Sequence, residues 1–357
     1  MNEKTLHFLR QVYREHYFKH HDLIELPQEM TSREFGYVPF GGGMIRHLSF
    51  KSGGELGAEL VKQAPSSVYC SNATYERPTL QMDEKGWLGA DLIFDIDADS
   101  IPTSCKVRHA WWICGDCQKG GMGAKPARCP KCKGIALTQV KWSCKECLNA
   151  TKDHVRRLVN FLTGDFGVDR RDVRVYFSGN RGYHAQVQDE RFQKADPQMR
   201  AEIANYIKGT GLSTRSALLP RSAAATIFGW AYKSEYFGAK SSTSKRQNQK
   251  LVDQVVMANA ALIDEAVTTD VHRVFRMPGT LHGNSGLLKM RVGSIDAFDP
   301  EKDPVILGNQ STTVFIDFAP EFFLKGMKFG PYESSAVQIP IYAAVFLLAR
   351  GLGRVVD

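Results

Sequence analysis

The chain has 357 residues, 43% of them hydrophobic, enough for one large or two moderate domains with a buried core and no stapling. Lysine and arginine number 46 against 38 acidic residues, a net charge of +8 that favours polyanionic partners. The first residues carry charge in every turn without an apolar signal core, and the most apolar stretch, Ala336 to Ala349, holds Gln338 and Pro340 and falls short of the roughly 20 residues a membrane span needs, so neither secretion nor a bilayer is expected.

Taken in chain order, Leu6, Leu9, Tyr13 and Tyr17 recur at helical spacing and predict a helix over 4–20. A looser segment follows, holding Arg33-Glu34-Phe35-Gly36 and the run Gly41-Gly42-Gly43. The pattern predicts a helix over 55–64 and strands at 67–71 and 91–97, before a cysteine-rich block interrupts it at 105–147. Helical periodicity resumes at 149–166, then strands at 173–179 and 183–187 and a helix at 198–208. The polar, basic run at 240–250 predicts a mobile loop, and 336–349 a buried terminal helix. The sum is an α/β or α+β protein with an inserted cysteine module and a small helical subdomain around 195–260, without internal repeats.

Three constellations carry chemistry. In Phe94-Asp95-Ile96-Asp97 the strand pattern projects both carboxylates from one face, about 7 Å apart at Cα, as chelation of Mg²⁺ or Mn²⁺ requires. An Asp-x-Asp alone also fits a glycosyltransferase or a plain acidic strand end. Ser178-Gly179-Asn180-Arg181-Gly182-Tyr183-His184 puts hydroxyl, guanidinium and imidazole donors on a glycine-bracketed turn, suited to phosphate oxygens. Thr269 to His282 (TDVHRVFRMPGTLH) adds a third acid, Asp270, with two arginines and two histidines.

Seven of the eight cysteines lie within 105–147, six of them as Cys114-x2-Cys117, Cys129-x2-Cys132 and Cys144-x2-Cys147. That spacing favours metal over disulfides and a reducing compartment. With Cys105 and His109 upstream there are eight soft or borderline ligands, the number two tetrahedral zinc ions need. Lys119, Lys125, Arg128, Lys131 and Lys133 make the block basic, and Trp111 and Trp112 either stack on bases or pack its core.

FDID, then SGNRGYH, then TDVHRVFRMPGTLHGNSGL, in that order and at these distances, resemble the small catalytic subunit of archaeal and eukaryotic replicative DNA primases, a likeness running from Arg33-Glu34-Phe35-Gly36 to the IPIYAAVFLLARGLG segment. The resemblance implies a two-lobed catalytic fold around an RNA-recognition-motif-like sheet, split as 1–104 and 148–357 by a zinc-binding module at 105–147. It implies template-directed synthesis of short primers on single-stranded DNA from nucleoside triphosphates, with Asp95, Asp97 and Asp270 holding two divalent ions. Ser178, Arg181, His184, Arg276 and His282 match contacts to the nucleotide's phosphates and sugar, and Glu34 and Arg46 a pair near the initiating nucleotide.

The Cys-x-x-Cys-Leu-Asn ending at Asn149 resembles the family's zinc knuckle, which assigns Cys105, His109, Cys144 and Cys147 to it and leaves Cys114, Cys117, Cys129 and Cys132 for an additional zinc ribbon. Asn180 stands where eukaryotic relatives carry a basic residue, and Asn284 where some archaeal ones carry lysine. A large primase subunit is the implied partner, in a cytoplasmic, nucleoid-associated setting. The rivals are a primase-polymerase of a mobile element or repair system, expected to carry a fused helicase or ligase module, and a non-catalytic zinc-ribbon protein that binds nucleic acid.

Overall fold

The computed structural model describes residues 1–140, 142–211, 228 and 245–356. The first helix, α1 (Glu3–Lys19), starts where the Asn2 side chain accepts the Thr5 N–H at 2.9 Å. Its apolar stripe, Leu9, Val12, Tyr13 and Tyr17, is buried, and the Tyr13 hydroxyl donates to the carbonyl of His282 at 3.0 Å. The helix therefore braces one of the predicted site segments from behind.

Two antiparallel sheets hold the chemistry. The first has the order β11-β3-β1-β2, built from β1 (Arg33–Val38), β2 (Ile45–Leu48), β3 (Ser67–Tyr75) and β11 (Val274–Arg276), with β4 (Trp87–Ala90) also on β3. The second has the order β12-β9-β10-β5, from β5 (Leu92–Asp97), β9 (Val173–Phe177), β10 (Gly182–Val187) and β12 (Met290–Arg291). They meet where the His184 ring lies edge-on to Phe275, 5.4 Å between centroids. Helix α2 (Gly53–Gln63) packs on α1, and α4 (Lys145–Asn160), continued by a π-turn at Phe161–Asp165, packs against β5 and β10.

Between β5 and α4 the chain makes the short helix α3 (Lys106–His109) and a small sheet of β6 (Trp111–Cys114), β7 (Gly120–Met122) and β8 (Leu137–Val140). This sheet leans on a carboxy-terminal one made of β13 (Ser311–Ala319), β16 (Tyr332–Pro340) and β17 (Gly353–Val355). A Cβ on Gly120 would come within 2.4 Å of the Phe318 ring, so the close approach requires glycine. The Trp111 ring packs on Phe318 at 5.2 Å, and Lys119 pairs with Glu333. A hairpin of β14 (Phe322–Leu324) and β15 (Met327–Phe329) lies beyond β13.

Helix α5 (Glu190–Gln193) leads to α6 (Pro197–Lys208), and α7 (Lys245–Asn259) and α8 (Glu265–Thr269) follow. The Ala261 N–H donates to the Ile207 carbonyl at 3.2 Å, joining the end of α6 to the segment after α7. Most of the 212–244 part of the expected helical subdomain lies outside the described residues. No helix among the described residues is long and apolar enough to cross a membrane.

Three expectations change, and a fourth point left open between two uses is decided. The segment at 33–36 is strand, because its charges are neutralised in place: Arg33 pairs with Asp91 at 3.0 Å, both buried. At 240–250, residues 240–244 lie outside the description, and from Lys245 onward the chain is helical, since Val252 and Val255 give α7 a buried stripe. The stretch at 336–349 divides at Pro340 into the end of β16 and α9 (Ile341–Leu348), as a proline closes a strand and opens a helix more readily than it sits inside one. Trp111 and Trp112 are 0% and 6% exposed, so they pack the interior and are closed to bases.

Candidate active site

In β5 the apolar Leu92, Phe94 and Ile96 turn inward, which leaves Asp95 and Asp97 together on the other face. The register sets Asp95 opposite His184 and Asp97 opposite Gly182 on β10. Residues directly opposite in an antiparallel pair share a face, and His184 Nε2 lies 3.5 Å from Asp95 Oδ1. A Cβ at Gly182 would sit 2.7 Å from the Ile96 carbonyl, so the strand beside Asp97 tolerates only glycine.

The turn before β10 is pressed against the segment at 282–289. Gly179 has φ +87°, and a Cβ there would meet His282 Cβ and the Leu287 carbonyl at 2.9 Å each. Ser178 Oγ accepts the Gly182 N–H at 3.2 Å, and the Arg181 guanidinium pairs with Asp99 at 3.1 Å. Asn180 Oδ1 accepts from Arg350 at 3.0 Å, so the turn holds a cation from the carboxy-terminal region. The Arg350 guanidinium in turn lies 3.6 Å over the Phe346 ring.

A cavity of about 290 Å³ joins these parts: Asp95, Asp97, Ser178, Arg181, His184, Arg276 and His282 all line it. Among the described residues, Arg181 Nε and Arg276 Nη1 are buried donors without a protein acceptor, the kind of group an anion in the cavity would satisfy. Burial first, then the neighbouring Asp97 and Asp264 carboxylates, pushes Asp95 up to about 7. Burial, with Lys289 and arginines beside His184 and arginines beside His282, holds both rings well below the usual imidazole range.

Asp270, Glu34 and Arg46 do not line this cavity. Asp270 follows α8, its Oδ1 accepting the His272 N–H at 2.9 Å and its Oδ2 lying 4.0 Å from Arg273. Among the described residues, Asp95, Asp97 and Asp270 do not form a group with carboxylate oxygens all within 4.8 Å of one another. Glu34 is fully buried and holds Arg46 in a two-pronged pair at 2.8 and 3.1 Å, with the buried Lys85 at 2.7 Å. Burial opposes its ionisation, but Arg46 and Lys85 outweigh that and hold the carboxyl below its usual range.

Replacing Lys85 by methionine strips Glu34 of a buried partner and is expected to cost about 3 kcal/mol, read from the urea midpoint. An unchanged midpoint would show the pair to be energetically idle. The Glu34 contribution is present above the pH at which an unfolded glutamate ionises and is lost as pH falls through its lower folded value.

All eight cysteines are free, and seven of them, with His109, form two groups of four whose ligand atoms lie within 4.8 Å of one another except for the unattached Cys70. Cys105, His109, Cys144 and Cys147 make one group; Cys114, Cys117, Cys129 and Cys132 make the other. Sulfur separations of 3.6 Å in Cys114/Cys132 and in Cys117/Cys129 approach the edge of about 3.8 Å of a zinc–thiolate tetrahedron. His109 directs Nε2 at Cys147 Sγ, 3.1 Å away.

Sequence reasoning missed Lys289, Asp264 and Arg350. Lys289 had a signal: it is a lone charge in the run Leu287-Leu288-Lys289-Met290, and a lysine kept in a buried apolar segment needs a reason.

Two carboxylates, two imidazoles and two guanidinium groups lining one cavity suit the work of a nucleotidyltransferase. A family model described as DNA primase small subunit matches residues 138–293. The DNA primase small subunit PriS of Cenarchaeum symbiosum (strain A) is 37% identical, covering 99% of each chain, and that of Nitrosopumilus maritimus (strain SCM1) is 37% identical, covering 99% of this chain and all of the relative. The corresponding protein of Archaeoglobus fulgidus is 32% identical over 96% of this chain and 97% of its own. A solved polymerase domain of Mycobacterium tuberculosis ligase D with DNA overlaps 82% of each chain at 11% identity and a TM-score of 0.37, a remote likeness. The chain belongs to the DNA primase small subunits, the catalytic subunits that build primers on a DNA template from nucleoside triphosphates.

Proposed function

We propose that the cavity between β5, β10 and β11 is where the primer is extended, with Asp95, Asp97 and Asp270 holding two divalent ions, Mg²⁺ or Mn²⁺. The observation that carries this reading is that Asp95 and Asp97 share one cavity with the unsatisfied donors of Arg181 and Arg276. Asp270 joins the ligand set by family resemblance. When bound, the ions neutralise charge on the attacking 3′-oxygen and the leaving pyrophosphate.

The chain's own residues position the triphosphate. Arg181 and Arg276 offer guanidinium donors, and Ser178 and His184 face the phosphates from the turn and from β10. In His282 the Asn284 N–H donates to Nδ1 at 3.1 Å, which leaves the proton on Nε2 as a donor. Arg46, aimed by Glu34, sits by the initiating nucleotide. The 3′-hydroxyl attacks the α-phosphorus, an O–P bond forms and pyrophosphate leaves, so positioning and electrostatics supply the rate enhancement.

In the same reading residues 1–104 and 148–357 are the catalytic domain, a two-lobed fold around an RNA-recognition-motif-like sheet, with helices within 195–260 as a subdomain. The inserted module at 105–147 holds two zinc ions, a knuckle and a ribbon. A large primase subunit completes the working heterodimer in the cytoplasm, at the nucleoid. The deciding assay is primer synthesis by the purified chain on an unprimed single-stranded template with labelled nucleotides and Mg²⁺ or Mn²⁺. Template-dependent products are expected; none, even with a preformed primer and the large subunit added, would defeat the assignment.

A further inference from the structure

We propose that Lys289 is a positioning residue that sets the tautomer of His184, so that the imidazole presents Nε2–H to the triphosphate. The inference rests on reading His184 as a phosphate ligand, and it concerns a residue outside the three sequence motifs' expected roles.

Lys289 is 4% exposed and its backbone is pinned on both sides: its N–H donates to the Thr280 carbonyl at 2.9 Å and its carbonyl accepts from Gly279 at 2.7 Å. The side chain crosses from the second sheet to the first. Its Nζ donates to the Arg276 carbonyl at 2.6 Å, lies 5.2 Å over the Tyr176 ring and sits 3.1 Å from His184 Nδ1. An ammonium group has donors and no acceptor. Nδ1 must therefore take the Lys289 hydrogen on its lone pair, and the ring's single proton is left on Nε2.

The other side of the ring makes the same demand. Nε2 is 3.5 Å from Asp95 Oδ1, an oxygen that accepts when the carboxylate is ionised. Because a ring whose Nδ1 accepts the Lys289 hydrogen carries a single proton, its tautomer rather than its charge decides what it offers a phosphate. With the proton on Nδ1, a lone pair would face phosphate oxygens and repel them. Burial, then Arg276, pushes Lys289 down while Asp95, Glu25 and Cys70 hold it up, and it is the ammonium form, whose Nζ also donates to the Arg276 carbonyl, that fixes the tautomer.

His282 supplies an internal parallel. Its Nδ1 is occupied by a main-chain donor, Asn284 N–H, and its Nε2 is likewise left as the donor in the same cavity. The turn geometry after His282 provides that donor for free, whereas His184 lies mid-strand, where both neighbouring main-chain N–H groups belong to the ladder. A side chain has to do the job there.

The test is nitrogen-15 NMR of the full chain labelled at histidine, with the His184 signals identified by their loss in His184→Gln. The wild type is expected to carry the His184 proton on Nε2, and Lys289→Met, which keeps length and removes the donor, to shift it towards Nδ1. The same variant is expected to raise the KM for the nucleoside triphosphate about tenfold with a smaller change in kcat, the size of one lost hydrogen bond to a charged group. A wild-type ring protonated on Nδ1 overturns the proposal whether or not the variant folds, as does a Lys289→Met ring with an unchanged tautomer. The spectrum needs no nucleotide, so a failed primer assay would defeat the functional reading while leaving this result to stand or fall separately.

Discussion

Asp95→Asn is expected to abolish primer synthesis, by at least about a thousandfold, while the protein stays folded. Asparagine keeps the shape on β5 but removes the charge a divalent ion would bind. Folding should not suffer, because the half-buried Asp95 carboxylate is held up to about 7 by loss of solvent, Asp97 and Asp264. The folded chain thus binds that proton more tightly than the unfolded one. The stability this contributes is fully present below about pH 4 and is lost as pH rises through 7. The variant escapes that loss, so its melting temperature at pH 8 should equal or exceed the wild type's, with the gap closing in acid. Retained synthesis by the variant would remove Asp95 from the reaction.

If the two cysteine groups hold zinc as proposed, Cys147→Ser and Cys129→Ser are each expected to cost one ion, but only the first to stop synthesis. Cys105 and Cys147 are buried against Ala98, whose N–H donates to the Arg181 carbonyl at 3.1 Å and which directly follows Asp97. Loss of that knuckle, worth several kcal/mol of folding energy, loosens the strand end that aims the carboxylate. Cys129 packs with Trp112, Cys114 and Leu137 in a separate small core. Its loss should unravel the ribbon and lower synthesis by no more than about threefold, since no site residue leans on it. Zinc analysis of the wild type should return two ions per chain. One ion per chain, or equal losses of synthesis in the two variants, would refute the division of labour.

Much of this site was legible because its residues obey local rules. The two-residue period of a strand put Asp95 and Asp97 on one face before any register was known, and Cys-x-x-Cys spacing is itself a geometric statement about a turn. What escaped were contacts made by distant pieces. Arg350 reaching Asn180, Lys289 reaching His184 and Asp264 facing Asp95 are set by how sheets and helices pack, which no window of neighbouring residues encodes. The Arg33–Val38 segment was misread for a related reason: its charges look like a surface loop until Asp91, Arg46 and Lys85 arrive from elsewhere to neutralise them. The tryptophans before the ribbon were undecided between two uses, and only burial separates them.

The ribbon's attachment has an evolutionary consequence. Cys114 pairs with Leu137 across β6 and β8, so the polypeptide leaves and rejoins the body at adjacent points. The stretch between those residues touches the body through Lys119 and Gly120, against Glu333 and Phe318; beyond them it is an excursion between adjacent strands, and lengthening such an excursion costs only about 0.6 kcal/mol for each doubling. A lineage could therefore gain, shed or exchange this cassette in one genetic event without retuning the carboxylate strand, which makes it a place where related polymerising enzymes are free to diverge.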